Sequence, residues 1–266
     1  MAPSLVFALA LLACSPLAAS DWQPVIISGP EGVYSMDQWK HDWPGCDWAD
    51  GIKPGRLSVV ADNGTHGLRV AYAAGQIGTE KGGCAWRWPF VAKDNPAAEL
   101  RYEVLFEPGF EFVKGGKLPG LCGGPENISG GKPVTGRDGW SARLMWRADG
   151  RGQAYVYHMH QPGKWGDEFN FPASFRFPVG QKTGVRLRVT MNTVGARDGT
   201  LQIGITLPGK SEALLVERKD MEWRSVPGIG VDSVMFETFH GGDDASWAPQ
   251  KACGARFTSI AVKKGS

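Results

Sequence analysis

Net charge is nearly missing from this sequence: 29 Lys and Arg against 27 Asp and Glu leave +2 over 266 residues. That balance excludes the basic footprint of a nucleic-acid binder, so any attraction for an acidic ligand must be local. Cysteine is scarce, at 5 residues, and no CxxC or HxxxH spacing occurs, which argues against a zinc site. Past residue 20 no apolar run approaches the length of a membrane-spanning helix, and no membrane partner is expected. Convincing long helices are absent as well. So are closely spaced acids on one strand face: ERKDMEW at 217–223 has the wrong spacing, which disfavours a glycoside hydrolase with two carboxylates flanking the scissile bond.

The first twenty residues, MAPSLVFALALLACSPLAAS, hold no charged side chain and end in small residues, the pattern of a secretory signal peptide. The mature chain is expected to begin near Ser20 or Asp21 and to be secreted, with residues 21–266 forming one domain and acting as a monomer. A lipoprotein-type reading at Cys14 ranks lower, because a bulky Leu precedes Ala13. Removing Cys14 leaves Cys46, Cys84, Cys122 and Cys253, an even number that predicts one or two disulfides in an oxidising compartment. Cys46 with Cys84 is the favoured pair, since both sit in Trp/Gly-rich stretches, leaving Cys122 with Cys253. Asn63-Gly-Thr and Asn127-Ile-Ser are glycosylation acceptors if the source is a eukaryote.

What the chain has in abundance is punctuation, with 37 Gly and 18 Pro between short alternating runs such as RLSVV (56–60), AELRYEVLF (98–106) and FTSIAVKK (257–264). Period-two alternation without a βαβ rhythm predicts antiparallel sheets in a β-sandwich of jelly-roll type. In VRLRVTMN, Val185, Leu187 and Val189 alternate with Arg186, Arg188 and Thr190, giving one buried and one wet face. Tryptophan is frequent, at 11 residues. About half are expected in the core, while Trp39, Trp43 and Trp48, in the loop-like DQWKHDWPGCDWADG, are candidates for stacking on sugar rings.

Residues 140–160, WSARLMWRADGRGQAYVYHMH, hold two alternating runs around Ala148-Asp149-Gly150. A three-residue hairpin turn wants glycine in the left-handed region at its last position, which Gly150 supplies. That register sets Arg147 opposite Arg151, Arg143 opposite Tyr155 and Ser141 opposite Tyr157. Ser141, Arg143, Tyr155 and Tyr157 then form one polar block on one face, either a solvent-facing surface or a site.

Upstream, KGGKLPGLCGG at 114–124 reads as a flexible loop offering Lys114 and Lys117 to carboxylates. Cations beside tyrosines suit abstraction of a proton alpha to a carboxylate, the first step of β-elimination on a polyuronate. That chemistry needs neither a metal nor a nucleotide cofactor. Cations nearby would lower a tyrosine pKa and favour an alkaline optimum.

Lys-Gly-Gly-Lys-Leu-Pro-Gly-Leu at 114–121, Ser-x-Arg at 141–143, Tyr-x-Tyr at 155–157 and ETFHGGDDASWAP at 237–249 together resemble polysaccharide lyase family 14. The resemblance implies a jelly roll with a concave substrate cleft, eliminative cleavage of alginate, polymannuronate or the related glucuronan, and functional roles for Lys117, Ser141, Arg143, Tyr155 and Tyr157. In that scheme Lys117 and Arg143 hold the substrate carboxylate, the tyrosines serve as base and acid, and Ser141 positions by a hydrogen bond. Further candidates for substrate contact are Lys114, Lys132, Arg137, His158, His160 and His240. His158 and His160 are expected on the face opposite the tyrosines, as structural histidines unless a bulge turns one inward. His240 is expected in a polar turn or at the cleft wall, and the Gly-rich 126–139 stretch as a mobile lid. The alternative function is a non-catalytic, lectin-like jelly roll, which has no need of the Ser/Arg/Tyr/Tyr block.

Overall fold

The computed structural model describes residues 21–91 and 93–265; the expected leader at 1–20, with Cys14, lies outside the described residues. In chain order the first elements are β1 (Trp22–Pro24), β2 (Gly32–Val33), α1 (Met36–Asp42), β3 (Leu57–Asp62) and β4 (Thr65–Tyr72). Next come α2 (Gly78–Gly82), β5 (Cys84–Pro89), β6 (Ala97–Phe106), β7 (Gly115–Gly123), β8 (Trp140–Arg147) and β9 (Gly152–Tyr157). The last are β10 (Asp167–Asn170), β11 (Lys182–Thr190), β12 (Gly199–Thr206), β13 (Ala213–Met221), β14 (Ser233–His240) and β15 (Cys253–Gly265).

Nine strands make one antiparallel sheet in the order β13-β12-β11-β6-β15-β4-β3-β2, with β1 on β15, and six make the other in the order β10-β9-β8-β7-β14-β5. This is the jelly-roll sandwich that the alternation predicts. On β11, Val185, Leu187 and Val189 are buried while Arg188 is exposed, as a half-wet strand requires. The core between the sheets is aromatic: Trp86 stacks on Phe236 at 4.4 Å, and Phe106 packs edge-on to Trp146 at 5.6 Å. Among the described residues no helix is long and apolar enough to cross a membrane.

Two expectations need correction. The tryptophan-rich stretch is not a loop, because α1 forms there behind a capping box in which Ser35 accepts from the Gln38 N–H and Gln38 from the Ser35 N–H. Trp39 and Trp43 are consequently turned into the core, Trp43 edge-on to Trp86 at 5.1 Å, and neither can meet a sugar. Trp48 alone of the three remains half-buried at the surface. The second correction concerns cysteine, since Cys46, Cys84, Cys122 and Cys253 are all free thiols. Cys122 stands in one row with Ser233 and Ser141 on the outer face of its sheet, turned away from the opposite sheet that holds Cys253. Cys46 directs its thiol to the Arg87 carbonyl at 3.2 Å instead of to Cys84.

Candidate active site

The glycines of KGGKLPGLCGG serve close packing rather than flexibility. The segment is β7, between β8 and β14, so its expected loop character is overturned. A Cβ on Gly116 would strike the Trp146 indole, and one on Gly120 the Ala142 carbonyl. Pro119, with no N–H to give the ladder, sits at the register shift between Leu118 and Gly120, and its carbonyl accepts from the Tyr102 hydroxyl at 3.1 Å. Lys117 thereby projects onto the outer, cleft-lining face.

The β8–β9 hairpin has the predicted register: Ser141 pairs with Tyr157 and Arg143 with Tyr155, and the Arg147 N–H donates to the Arg151 carbonyl at 2.7 Å. Gly150 has φ +72°. Over this face opens a cavity of about 410 Å³ whose lining includes Lys117, Met145, Arg147, Tyr155, Tyr157 and Glu168. Ser129 and Gly130 close one side, and Trp165 and Trp247 contribute further wall.

Lys117 Nζ lies 2.9 Å from the Met145 sulfur and 3.6 Å from the centroid of the Tyr155 ring. Among the described residues no carboxylate forms an ion pair with it. Burial, reinforced by the neighbouring Arg143 charge, holds its pKa well below the ordinary lysine range. An amine so placed carries a free lone pair at far lower pH than an exposed lysine.

Tyr155 and Tyr157 have their hydroxyls 3.5 Å apart. Each oxygen also accepts from a glycine N–H of a different loop, Tyr157 from Gly131 at 3.0 Å and Tyr155 from Gly166 at 3.2 Å. Burial, with the hydrogen bond that Tyr155 gives to Tyr157, raises the Tyr155 pKa. This reverses the expected lowering: the loss of water outweighs the nearby cations, and the phenol keeps its proton.

Arg143 and Ser141 are sealed beneath the cleft rather than open to it. Arg143 has no exposed surface; its Nη1 donates to Glu237 of β14, while Nε and Nη2 find no partner among the described residues. Ser141 Oγ donates to the Ile128 carbonyl at 2.7 Å and so ties down the 124–139 loop. Neither lines the cavity.

The remaining candidates lie elsewhere. Lys114 reaches Ser246 at 2.5 Å and stands 5.8 Å from the Trp247 ring, beside the cavity. Lys132 is exposed and pairs with Glu126 at 3.3 Å, and Arg137 is exposed and outside the cavity lining. His158 is buried against Asp167 at 3.2 Å, and His160 meets Glu222 at 2.5 Å, consistent with structural roles. His240 is neither turn nor cleft wall: it ends β14 on the core side, stacked on Phe110 at 5.5 Å, with Nε2 bonded to the Glu111 carbonyl at 2.7 Å. Burial lowers its pKa.

Sequence reasoning passes over Arg147, Met145, Glu168, Trp165, Phe239, Trp247 and the buried Glu237. For Met145 and Arg147 the signal is present, because they continue the face of Ser141 and Arg143 at steps of two. Among the described residues no three His, Cys, Asp or Glu side chains gather as metal ligands would.

A half-buried amine with a lowered pKa, two tyrosine hydroxyls and an open arginine around one cleft on a jelly roll match the chemistry of eliminative polysaccharide cleavage. The polysaccharide lyase 14 family model matches residues 60–260, most of the chain. The chain belongs to polysaccharide lyase family 14. As a lyase, it acts by elimination rather than by binding alone, and the lectin-like alternative falls away. The lyase is similar in structure to the marine PL-14 alginate lyase from Aplysia kurodai, at 25% identity and TM-score 0.79, covering 91% of this chain and 100% of that one. It is also similar to the alginate lyase Aly36B, at 25% identity and TM-score 0.77, covering 92% and 97%. An endo-β-1,4-glucuronan lyase from the fungus Trichoderma reesei shares the fold at 14% identity and TM-score 0.52, covering 89% and 95%. No curated protein sequence matches the lyase.

Proposed function

We propose that the protein cleaves a 1,4-linked polyuronate, of alginate or polymannuronate type or glucuronan, by β-elimination, with Lys117 as base and the tyrosine pair as acid. The observation that carries this reading is the Lys117 amine, held in the cleft on the Tyr155 ring, its pKa lowered by burial and without an ion-pair partner among the described residues. Lys117 takes the C5 proton, the electron pair forms the C4–C5 double bond, and the C4–oxygen bond breaks. The departing oxygen takes its proton from Tyr157, whose developing phenolate meets the Gly131 N–H, while Tyr155 stands behind it as second hydrogen-bond partner. Arg147, at the cavity wall, neutralises the substrate carboxylate as the enediolate develops. Arg143, out of substrate reach, acts through Lys117 by disfavouring its ammonium form.

Two neighbours at 25% identity are named alginate lyases, which supports a uronate polymer. The uncharged, apolar first twenty residues support secretion. The test is ultraviolet absorbance of the unsaturated uronate end, with alginate, polymannuronate, polyguluronate and glucuronan offered separately. A rise on one of these names the substrate; no rise on any of them overturns the polyuronate reading.

A further inference from the structure

The outer face of the six-stranded sheet carries a second cavity, also of about 410 Å³, which the reaction above leaves unused. Its floor is the edge strand β5 and the start of β14, and its walls come from the loops after α1, β5 and β7. Cross-strand pairing sets Arg87 in one row with Met235, Gly120, Arg143 and Tyr155. Four strand spacings separate Arg87 from Tyr155, roughly 19 Å at the usual interstrand distance. One loop walls both cavities: Gly124, Pro125 and Asn127 line the second, Ser129 and Gly130 the first.

The floor is built and internally neutral. Arg87 donates to Ser233 Oγ at 3.0 Å, to the carbonyls of Gly124 at 2.6 Å and Glu126 at 3.1 Å, and pairs with Asp232 at 2.7 Å. Asp232 in turn accepts from the Gly124 N–H at 3.0 Å. Left over is the half-buried Asn127, whose amide lines the cavity and whose Oδ1 has no hydrogen-bond partner among the described residues, an arrangement costly to leave unmet. Beside it stand the half-buried Trp48 and, at the rim, the exposed Lys93 and Asp47.

An indole, a half-buried side-chain amide and an exposed ammonium are what an acidic sugar presents partners for: an apolar ring face, hydroxyls and a carboxylate. We infer that this second cavity is a saccharide-binding site that holds an acidic sugar chain at a distance from the bond being broken. The inference rests on the polyuronate reading. It makes Trp48 a contact for long chains only, because a short oligosaccharide that fills the first cavity does not span the gap.

The test compares Trp48→Ala, Asn127→Ala and the unaltered protein on the polymer it cleaves and on a short oligosaccharide of the same polymer. The protein is produced without N-glycans, because Asn127 opens an Asn-Ile-Ser acceptor. Loss of one stacking contact is expected to raise KM on the polymer by about tenfold. Turnover, Tm and short-substrate kinetics should stay unchanged, and Asn127→Ala should act in the same direction. If both variants match the unaltered protein on the polymer, or if long and short substrates suffer alike, the second site is overturned. Absence of cleavage by the unaltered protein would instead sink the polyuronate reading.

Discussion

Arg143 donates from Nη1 to the Glu237 carboxylate beneath the cleft floor, and both side chains are shut away from solvent. Removing one partner of such a pair leaves a buried charge uncompensated, so Glu237→Ala should cost about 3–5 kcal/mol. Glu237→Gln keeps an acceptor for the guanidinium but removes an anion that stabilises the Lys117 ammonium. The acid limb of the pH–rate profile should then move to lower pH, measured on initial rates of unsaturated-end formation. An unmoved limb in a folded Glu237→Gln protein would detach Glu237 from the reaction.

Lys117 itself should weaken the fold at neutral pH. Its folded pKa lies below its unfolded one, so the unfolded chain binds more protons between the two, and stability falls as pH drops from the ordinary lysine value toward the folded one. Lys117→Met removes that penalty. Its Tm should exceed that of the unaltered protein at neutral pH, by about 2–4 °C for each kcal/mol relieved, and the gap should close as pH rises past the unfolded lysine value. Calorimetric scans at both pH values read this directly.

Tyr157→Phe removes the proton donor and leaves the Gly131 N–H without its acceptor. Turnover should fall by about 10²–10⁴, with circular dichroism unchanged. Burial raises the Tyr155 pKa, so Tyr155 should stay protonated above the range in which an exposed tyrosine ionises, read as phenolate absorbance in the unaltered protein against Tyr155→Phe.

Arg147 stands 3.9 Å from Glu168 and 5.5 Å from the Trp247 ring, one-third exposed or less, open to a substrate carboxylate. Arg147→Met should lower kcat/KM by about 10²-fold, because it neutralises charge that grows in the transition state. A rise in KM with kcat intact would reduce it to ground-state binding.

Alternation and Gly150 place Ser141, Arg143, Tyr155 and Tyr157 on one face, and the hairpin pairs them as expected. Alternation carries no information about depth. Ile128, thirteen positions before Ser141, lays its loop over the near end of that face and buries Ser141, while Arg147 at the far end stays open. Glu237 is 94 positions from Arg143, and no local pattern joins them. Gly-rich composition suggests mobility for 114–124, but close approach of Trp146 and the Ala142 carbonyl explains the same glycines within a strand. Desolvation, invisible to spacing, is what inverts the roles in the proposed mechanism: it lowers the Lys117 pKa, as a base needs, and raises that of Tyr155.

Lys117→Arg tests that inversion most directly. Arginine preserves a positive charge but cannot give up its proton at working pH. If Lys117 is the base, the folded variant should lose about 10²–10⁴ in turnover at every pH, read as unsaturated-end absorbance on the polymer that the unaltered protein cleaves. Turnover within a few-fold of the unaltered protein would show that Lys117 acts as a charge alone and would contradict the mechanism.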